Sequence, residues 1–327
     1  MRYILRADAS QSTGSGHVMR SSAIAEELIA RGEEVIFIGR ISDLPWVEKR
    51  IAALGFTQIY TEEGAFISNP ANDILILDSY EIEVGDAFID LKKWFQIVAI
   101  VDEITPLYSC TLRVHPGLGP SWFKGSKIPI LIGPKFVPLR ASLFKNTSIK
   151  TTKSENLKVV VVAGGSDPHN VVLEISKILE KFTELFEAYL FTNSPIIYHS
   201  DRRFRFCEIG SSLEEVSRDA DLILTTSSTS SLEFLALGHC LGVFCAVNNQ
   251  KQYYDQLAEL GVAAKIGTRS ESMGWSFEVE TIHKLLTDSK YRASIRNKAT
   301  GLIDFSGAQR IVDAIMSLPE GNSDKSG

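Results

Sequence analysis

The sequence predicts an α/β protein made of two doubly wound, Rossmann-like domains. Its 327 residues exceed what one hydrophobic core usually serves, which favours two domains of similar size. Short apolar runs alternate along the chain with stretches in which apolar residues have helical spacing. Continuous apolar runs such as residues 74–77 are typical of strands buried on both faces of a parallel sheet.

The first domain is predicted to span residues 1–145. A helix over 18–31 carries Ile24 and Leu28 at helical spacing and ends before Gly32, a residue suited to follow a helix. Strands are expected around this helix and after it, at 3–7, 34–39, 74–78, 96–101 and 112–115.

A polar linker is predicted at 146–156 and the second domain at 157–317. The strands of this domain are expected at 157–163, 189–192, 221–225 and 241–246. The sequence leaves open that the last helix, 307–316, packs back on the first domain. Residues 318–327 have the composition of a polar, frayed tail.

Composition restricts the class of function. The chain is 44% hydrophobic and 23% charged with a net charge of −6, which is typical of an ordinary globular protein. Because nucleic-acid and membrane-surface binding usually need a basic field, we expect a small-molecule substrate, no nucleic acid and no membrane span. Four cysteines without Cys-x-x-Cys spacing, and no recognisable signal peptide, predict reduced thiols in a cytoplasmic protein.

The stretch 14–20 follows the first predicted strand and opens the first helix. Gly14 and Gly16 permit a tight loop and the close approach of a ligand, and the helix start attracts negative charge. His17 is a candidate general base, because the helix dipole disfavours its imidazolium form. Arg20 shares a helix face with His17, and Asp8 ends the strand; both are expected to contact the ligand. The alternative is a plain turn with a histidine in the first helical turn.

Two loops of the second domain are candidate phosphate sites. In the first loop, 164–168, Gly165 and Ser166 lie between a predicted strand and helix, where backbone amides and a hydroxyl can hold phosphate. The loop matches neither the Walker motif nor the Gly-x-Gly-x-x-Gly dinucleotide fingerprint, so no cofactor is expected. The alternative is a structural turn capped by Ser166 or Asp167.

The second loop is rich in hydroxyls and opens another helix. Such a cluster can bind a diphosphate, and a carboxylate one turn later can accept hydrogen bonds from ribose. The residues concerned are Ser228, Thr229, Ser230, Ser231 and Glu233. The alternative is a capping box formed by Ser230 and Glu233, and the two interpretations are compatible.

Further polar residues follow predicted strands. Asn249 and Gln250 offer amides for sugar hydroxyl or acetamido groups, and Tyr80 offers a phenol; a turn and ordinary packing are the respective alternatives. The Asp219-Ala220-Asp221 run resembles a metal motif of sugar transferases. However, Asp221 begins a strand and no cluster has ligand spacing, so no metal is expected.

The order and spacing of these pieces, over nearly the whole chain, resemble the PseG-type UDP-sugar hydrolases of pseudaminic acid biosynthesis and their spore-coat polysaccharide relatives. More distantly, the chain is similar to the lipid-linked peptidoglycan N-acetylglucosaminyltransferase, which has the glycosyltransferase-B architecture. The resemblance depends on Arg6-Ala-Asp8, Gly14-x-Gly16-His17-x-x-Arg20, Asp78-Ser-Tyr80, Gly133-Pro-Lys-Phe-Val-Pro-Leu-Arg140, Gly164-Gly-Ser-Asp167, Ser228-Thr-Ser-Ser-Leu-Glu233, Asn249-Gln250 and Gly307-Ala-Gln-Arg310.

The resemblance implies metal-independent hydrolysis of a UDP-linked 2,4-diacetamido-2,4,6-trideoxyhexose to UDP and free sugar. His17 would activate water for attack at the anomeric carbon, with Tyr80, Asn249 and Gln250 holding sugar and water. The hydroxyl-rich helix start would hold the diphosphate, and Glu233 the ribose. In doubly wound folds ligands bind beyond the carboxyl ends of the strands, so we expect the substrate in the cleft between the domains.

Two departures from the family pattern affect the expected substrate. The family tends to show an Asp-Asp pair and an Asn-rich turn where this chain has Asp102-Glu103 and His115-Pro116. The sugar pocket is therefore expected to differ from that of the family. A glycosyltransferase of the same fold, in which His17 deprotonates an acceptor hydroxyl, is the alternative function, and a non-catalytic UDP-sugar-binding protein is a third.

Overall fold

The computed structural model describes residues 1–61, 69–79, 90–102, 109–119, 129–144, 156–193, 201–210 and 212–319. Contacts divide the chain into two compact units, one of Met1–Ala141 with Asp304–Gly327 and one of Ser142–Ile303. Most of the predicted linker, 146–155, lies outside the described residues.

The strands are β1 (Arg2–Ala7), β2 (Ala9–Ser10), β3 (Glu34–Ile38), β4 (Ile41–Ser42), β5 (Gln58–Tyr60), β6 (Ile74–Asp78), β7 (Gln96–Ile100), β8 (Leu112–His115), β9 (Ile130–Ile132), β10 (Leu157–Val162), β11 (Phe186–Phe191), β12 (Phe204–Cys207), β13 (Leu222–Thr226), β14 (Leu241–Cys245), β15 (Ala264–Ser270) and β16 (Gly274–Phe277). The helices are α1 (Gly16–Ala30), α2 (Pro45–Ala53), α3 (Ala141–Phe144), α4 (Val171–Leu179), α5 (Leu213–Ser217), α6 (Thr229–Ala236), α7 (Lys251–Glu259), α8 (Val279–Thr287), α9 (Ser289–Ala299) and α10 (Gly307–Met316).

The first unit contains a parallel sheet of order β5-β3-β1-β6-β7-β8-β9. Adjacent strands are paired in parallel, so their carboxyl ends meet at one edge; Ala7, for example, pairs with Asp78. Apolar residues of α1, such as Val18 and Leu28, are buried against one face of the sheet. A second apolar cluster that includes Leu75 lies on the opposite face. The parallel sheet predicted for this half is therefore present, with apolar side chains buried on both of its faces.

The second unit repeats this design with the order β12-β11-β10-β13-β14-β15-β16. All neighbouring strands are parallel except β15 and β16, which form an antiparallel hairpin. The ring of Trp275 in β16 meets the ring of Phe244 edge-on, with 5.8 Å between the ring centroids. It also stacks on the ring of Phe277, with 5.5 Å between the centroids. The hairpin thus adds aromatic side chains to the core that α4 covers.

The last helix, α10, belongs to the first unit. Ile311, Val312 and Ile315 are fully buried in the core that contains α1. The predicted second domain, 157–317, therefore extends further than the second unit, which ends at Ile303. The reason is that the apolar face of α10 is covered by α1, an alternative that the sequence left open.

Among the described residues, no helix is both long and apolar enough to cross a lipid bilayer.

Candidate functional site

The first part of the candidate site lies at the carboxyl edge of the first sheet. Ile74 and Ile76 of β6 point into the core that α1 covers, and side chains alternate along a strand. Asp78, the last residue of β6, therefore points toward α1. On that helix His17 and Arg20 are three residues apart and share a face.

Asp78 accepts hydrogen bonds from three side chains of α1. Nδ1 of His17 donates to Oδ1 over 2.6 Å. Arg20 donates from Nη2 to Oδ1 over 2.6 Å and from Nε to Oδ2 over 2.8 Å. Ser21 donates from Oγ to Oδ2 over 2.7 Å. Both carboxylate oxygens are therefore held in place.

This carboxylate is ionised although no part of it is exposed. Burial alone would raise the pKa of Asp78. Attraction by Arg20 and His17, and the hydrogen bonds from both, outweigh burial and hold that pKa well below its ordinary value. The buried negative charge is thus paired, as burial requires.

Arg20 connects Asp78 to a second buried carboxylate. Its Nη1 donates to Oδ1 of Asp102 over 2.5 Å. His115, which ends β8, contacts the main-chain oxygen of Asp102 through Nε2 over 2.5 Å. Burial lowers the pKa of His115 below the ordinary histidine value. The ends of β6, β7 and β8 are therefore linked to α1 by one polar network.

The network defines what His17 can do chemically. Because Nδ1 donates to a carboxylate, the neutral ring carries its lone pair on Nε2. A carboxylate that orients a histidine and stabilises its protonated form is the arrangement of a general base. His17 is mostly buried, with 11% of its side chain exposed. The geometry supports proton acceptance at Nε2.

The other residues singled out in this half have different surroundings. Gly14 adopts φ +79°, a conformation that favours glycine, and Gly16 begins α1. Asp8 is paired with Arg6 and also accepts from the backbone N–H of Arg40 over 2.6 Å. Tyr80 lies outside the described residues.

The structure shows where the side chain of Arg20 is directed. That Arg20 contacts a ligand beside His17 stays a prediction. It does share the helix face, but its guanidinium is directed at Asp78 and Asp102, and only 6% of the side chain is exposed. Two buried carboxylates attract the guanidinium inward, so Arg20 belongs to the internal network.

The structure also adds residues that the sequence analysis did not select, namely Asp78, Asp102, Ser21 and His115. A signal for the two aspartates was present. Each lies at or just beyond the end of a predicted apolar strand, and neighbouring parallel strands end at one edge. Ser21 carried no comparable signal, because its role depends on which face of α1 meets the sheet.

In the second unit, the two predicted phosphate loops lie side by side. Gly164 has φ +93°, and a Cβ placed on it would lie 3.6 Å from Oγ1 of Thr226 and 3.7 Å from Oγ of Ser230. The loop after β10, which contains Gly165 and Ser166, is thereby next to the start of α6. The sequence predicted each loop but not their contact.

The N-terminal ends of α4 and α6 differ in whether a side chain already accepts hydrogen bonds from the free backbone N–H groups. Asp167 accepts from the backbone N–H of Val171 over 2.8 Å and of Val172 over 3.1 Å, so its carboxylate occupies the start of α4. This is the structural-turn alternative for the 164–168 loop. At α6 the N-cap residue is Ser228, whose side chain makes no capping hydrogen bond. Of the two, α6 is better suited to an anion.

The hydroxyls around α6 are partly engaged with one another. Oγ of Ser228 contacts Oγ1 of Thr226 at 2.8 Å, and Oγ of the buried Ser231 donates to the backbone oxygen of Ser228 over 2.6 Å. Thr229, Ser230 and Glu233 are half-buried in the first turns of the helix. Thr229 and Ser230 are therefore the hydroxyls best placed for a ligand.

Gln250 has a structural contact that the sequence did not predict. Its Oε1 accepts from the backbone N–H of Ala246 over 2.9 Å, and its backbone oxygen accepts from Oγ of the buried Ser227 over 3.1 Å. The β14–α7 loop is thus tied to the loop that precedes α6. Asn249 is exposed in the same loop.

Within the part of the chain that the structure describes, no group of three or more histidine, cysteine, aspartate or glutamate side chains could hold a metal ion.

The chain resembles known proteins more in fold than in sequence. No protein-family model matches it. The uncharacterised protein MJ1062 of Methanocaldococcus jannaschii is 24% identical over 283 residues, which cover 78% of this chain and 58% of that protein. The chain thus spans a little over half the length of this curated relative.

Several solved structures have a similar fold. Acinetobacter baumannii MurG has a TM-score of 0.63 at 12% identity, covering 97% of this chain and 100% of that one. Spinosyn rhamnosyltransferase SpnG, solved with thymidine diphosphate, has a TM-score of 0.60 at 13% identity. The match covers 96% of this chain and 100% of that one. A putative UDP-N-acetylglucosamine 2-epimerase from Listeria monocytogenes has a TM-score of 0.62 at 13% identity. The match covers 97% of this chain and 96% of that one. The chain therefore has the α/β fold of these structures.

Proposed function

We propose that this protein is an enzyme that transfers the sugar of a nucleotide sugar to an oxygen nucleophile, with His17 as general base. The observation that carries the proposal is the buried His17–Asp78 pair, 2.6 Å apart, at the carboxyl edge of a parallel sheet. Ligands of doubly wound folds bind at this edge.

The proposed reaction makes and breaks one bond at the anomeric carbon. The nucleophile oxygen attacks that carbon, and its proton moves to Nε2 of His17. The bond from the anomeric carbon to the phosphate oxygen breaks, and the nucleoside diphosphate leaves with the electron pair. Asp78 stabilises the imidazolium that results, in the way that an ionised carboxylate supports a histidine base.

The leaving diphosphate is assigned to the start of α6. Thr229 and Ser230 supply hydroxyls there, and the backbone N–H groups of the first turn favour a negative charge. Glu233, one turn later, is assigned to the ribose. Asp8, Tyr80, Asn249 and Gln250 are assigned to the sugar and the nucleophile.

Two acceptors are compatible with this chemistry. A hydroxyl group of an acceptor, giving a glycosyltransferase, is favoured by the fold, since MurG and the spinosyn rhamnosyltransferase have similar structures. Water, giving a hydrolase of a UDP-linked 2,4-diacetamido-2,4,6-trideoxyhexose, is favoured by the order of motifs from Arg6 to Arg310. In that case the enzyme would act in pseudaminic acid biosynthesis.

The test follows release of UDP by phosphorus NMR. The full-length protein is incubated with UDP-N-acetylglucosamine and with the UDP-linked diacetamido sugar, first in water alone and then with a panel of sugar and lipid-linked acceptors. Release only with an acceptor supports the transferase, and release in water alone supports the hydrolase. Tight UDP-sugar binding without release under any condition contradicts the proposal and favours a binding protein.

A matched pair of variants assigns the base. His17→Asn is expected to retain UDP binding and to lose turnover by about 10²–10⁴-fold. His283→Asn is the control, because His283 is an exposed histidine that pairs with Glu184 in the second unit. Equal activity of the two variants would rule out His17 as the base.

A further inference from the structure

Asp102 takes no part in the proposed reaction, yet it is buried beside residues that do. Only 7% of its side chain is exposed, and it is joined to Asp78 through Arg20. A buried arginine between two carboxylates is costly to desolvate, and buried ion pairs are weak evidence for stability. The second carboxylate is therefore a candidate for a functional role.

That role follows from how the charge of Arg20 is divided. An arginine that contacted Asp78 alone would largely cancel the charge of that carboxylate and reduce its attraction for a protonated His17. Here Nε and Nη2 face Asp78 while Nη1 faces Asp102. Part of the negative charge of Asp78 thus remains available to the imidazole ring.

The charged and titratable groups that face this network come from α1, β6, β8 and the residues after β7. Among the described residues they include His17, Arg20, Asp78, Asp102 and His115. His115 adds no positive charge at neutral pH, because burial lowers its pKa. Its contact with the main-chain oxygen of Asp102 instead fixes the backbone that carries this aspartate.

We infer that Asp102, acting through Arg20, is a positioning residue that keeps the charge of Asp78 available to His17 when the imidazole accepts a proton. The inference rests on the proposed function for its catalytic consequence. The proton arrives at Nε2, the Nδ1 proton stays hydrogen-bonded to Asp78, and no other bond in the network changes. Without Asp102, Arg20 would neutralise a larger share of the charge of Asp78, and less negative charge would remain to stabilise the imidazolium.

The test measures the protonation of His17 directly. Histidine ring signals of the ¹⁵N-labelled full-length protein are followed against pH, and His17 is assigned with His17→Asn. In Asp102→Asn the pH at which His17 is half protonated is expected to fall by about one unit. In Arg20→Gln, which removes a cation 3.4 Å from the ring, it is expected to rise. A purely structural role of the network does not produce opposite shifts.

Asp73→Asn is the matched control. Asp73 is also a buried aspartate paired with an arginine, Arg2, over 2.7 Å, but it precedes β6 while Asp78 ends it. This variant is expected to leave the His17 titration unchanged. If Asp102→Asn does not fold, as judged by thermal unfolding, Asp102→Ser carries the test, because it removes the same carboxylate and leaves Arg20 in place. An unchanged His17 titration in the folded variants overturns the inference.

Turnover separates this inference from the proposed function. In an active enzyme, Asp102→Asn is expected to lower kcat about tenfold and to move the acidic limb of kcat against pH to lower pH. If the titration shifts occur but no nucleotide sugar is turned over, the network stands and the proposed function fails. If turnover occurs but the titration does not move, only the role of Asp102 fails.

Discussion

Nδ1 of His17 lies 2.6 Å from Oδ1 of Asp78, although 61 residues separate the two in the chain. The contact joins the first turn of α1 to the end of β6. It fixes which nitrogen of the imidazole accepts a proton, and the proposed chemistry depends on it.

Asp78→Asn is therefore expected to abolish most activity. The amide cannot serve as a counter-ion for the imidazolium, and it leaves Arg20 with one carboxylate instead of two. We expect kcat to fall about 10²–10⁴-fold while UDP binding to the second unit is retained. Steady-state kinetics and calorimetry measure the two effects. Loss of kcat no greater than in Asp73→Asn would contradict the role given to Asp78.

Ser230→Asp tests the anion site at α6. A carboxylate in the first turn suits the helix dipole, so the helix should be as stable or more stable. The same charge repels a diphosphate, and we expect the Kd of UDP to rise at least about tenfold. Isothermal titration calorimetry gives the Kd. Ser289→Asp is the control, since Ser289 begins α9 behind its N-cap, Asp288; an equal effect in both variants would contradict the site.

The stability of the second unit should fall in mild acid because of His239. Burial lowers the pKa of this histidine to about 4 from an ordinary value of 6.5. Between these two pH values the unfolded chain binds a proton that the folded chain does not, so stability is lost as pH falls from 6.5 to 4. The full loss is ~3 kcal/mol.

Urea unfolding at pH 7.5 and pH 5 measures this effect. His239→Gln is expected to be less stable than the wild type at pH 7.5, yet to lose less stability on going to pH 5. Lys290→Gln, an exposed change in the same unit, should keep the pH dependence of the wild type. A pH dependence unchanged in His239→Gln would exclude His239 as its source.

Gly307→Ala should destabilise the first unit, although alanine has a higher helix propensity than glycine. A Cβ on Gly307 would overlap the backbone oxygen of Val137, which cannot move independently of its chain. Alanine usually favours a helix over glycine by about 1 kcal/mol, but here we expect a net loss of about 1–3 kcal/mol.

Thermal or urea unfolding tests this expectation. Gln309→Ala, an exposed change on the same helix, serves as the control and should have little effect on unfolding. A Gly307→Ala variant as stable as Gln309→Ala would show that the close approach of α10 is not required.

The central strands were predictable because both of their faces are apolar. Residues 74–78 and 157–162 carry this pattern without reference to the rest of the chain. The strand β15, which lies next to an edge, was missed, and so were the edge strands β5, β9, β12 and β16. Each edge strand is short and pairs with a single neighbour, so its side chains are partly exposed.

For the candidate site, the sequence indicated His17 and the hydroxyl-rich start of α6, because a glycine-rich or hydroxyl-rich turn between strand and helix is a local pattern. It could not indicate where Arg20 points. That choice depends on two carboxylates, Asp78 and Asp102, that lie 58 and 82 residues away along the chain.

Local sequence therefore determined the central strands, the helices α1 and α10 and the loops that open α1, α4 and α6, since hydrophobic period and turn chemistry act over a few residues. Only the tertiary structure decided which of those loops share a site. It closed the start of α4 with Asp167, brought Gly164 beside Ser230, and directed Arg20 inward. The physical reason is that charge pairing and close packing depend on distances in space. Those distances are set by the order of the parallel strands and cannot be read from the separation of residues along the chain.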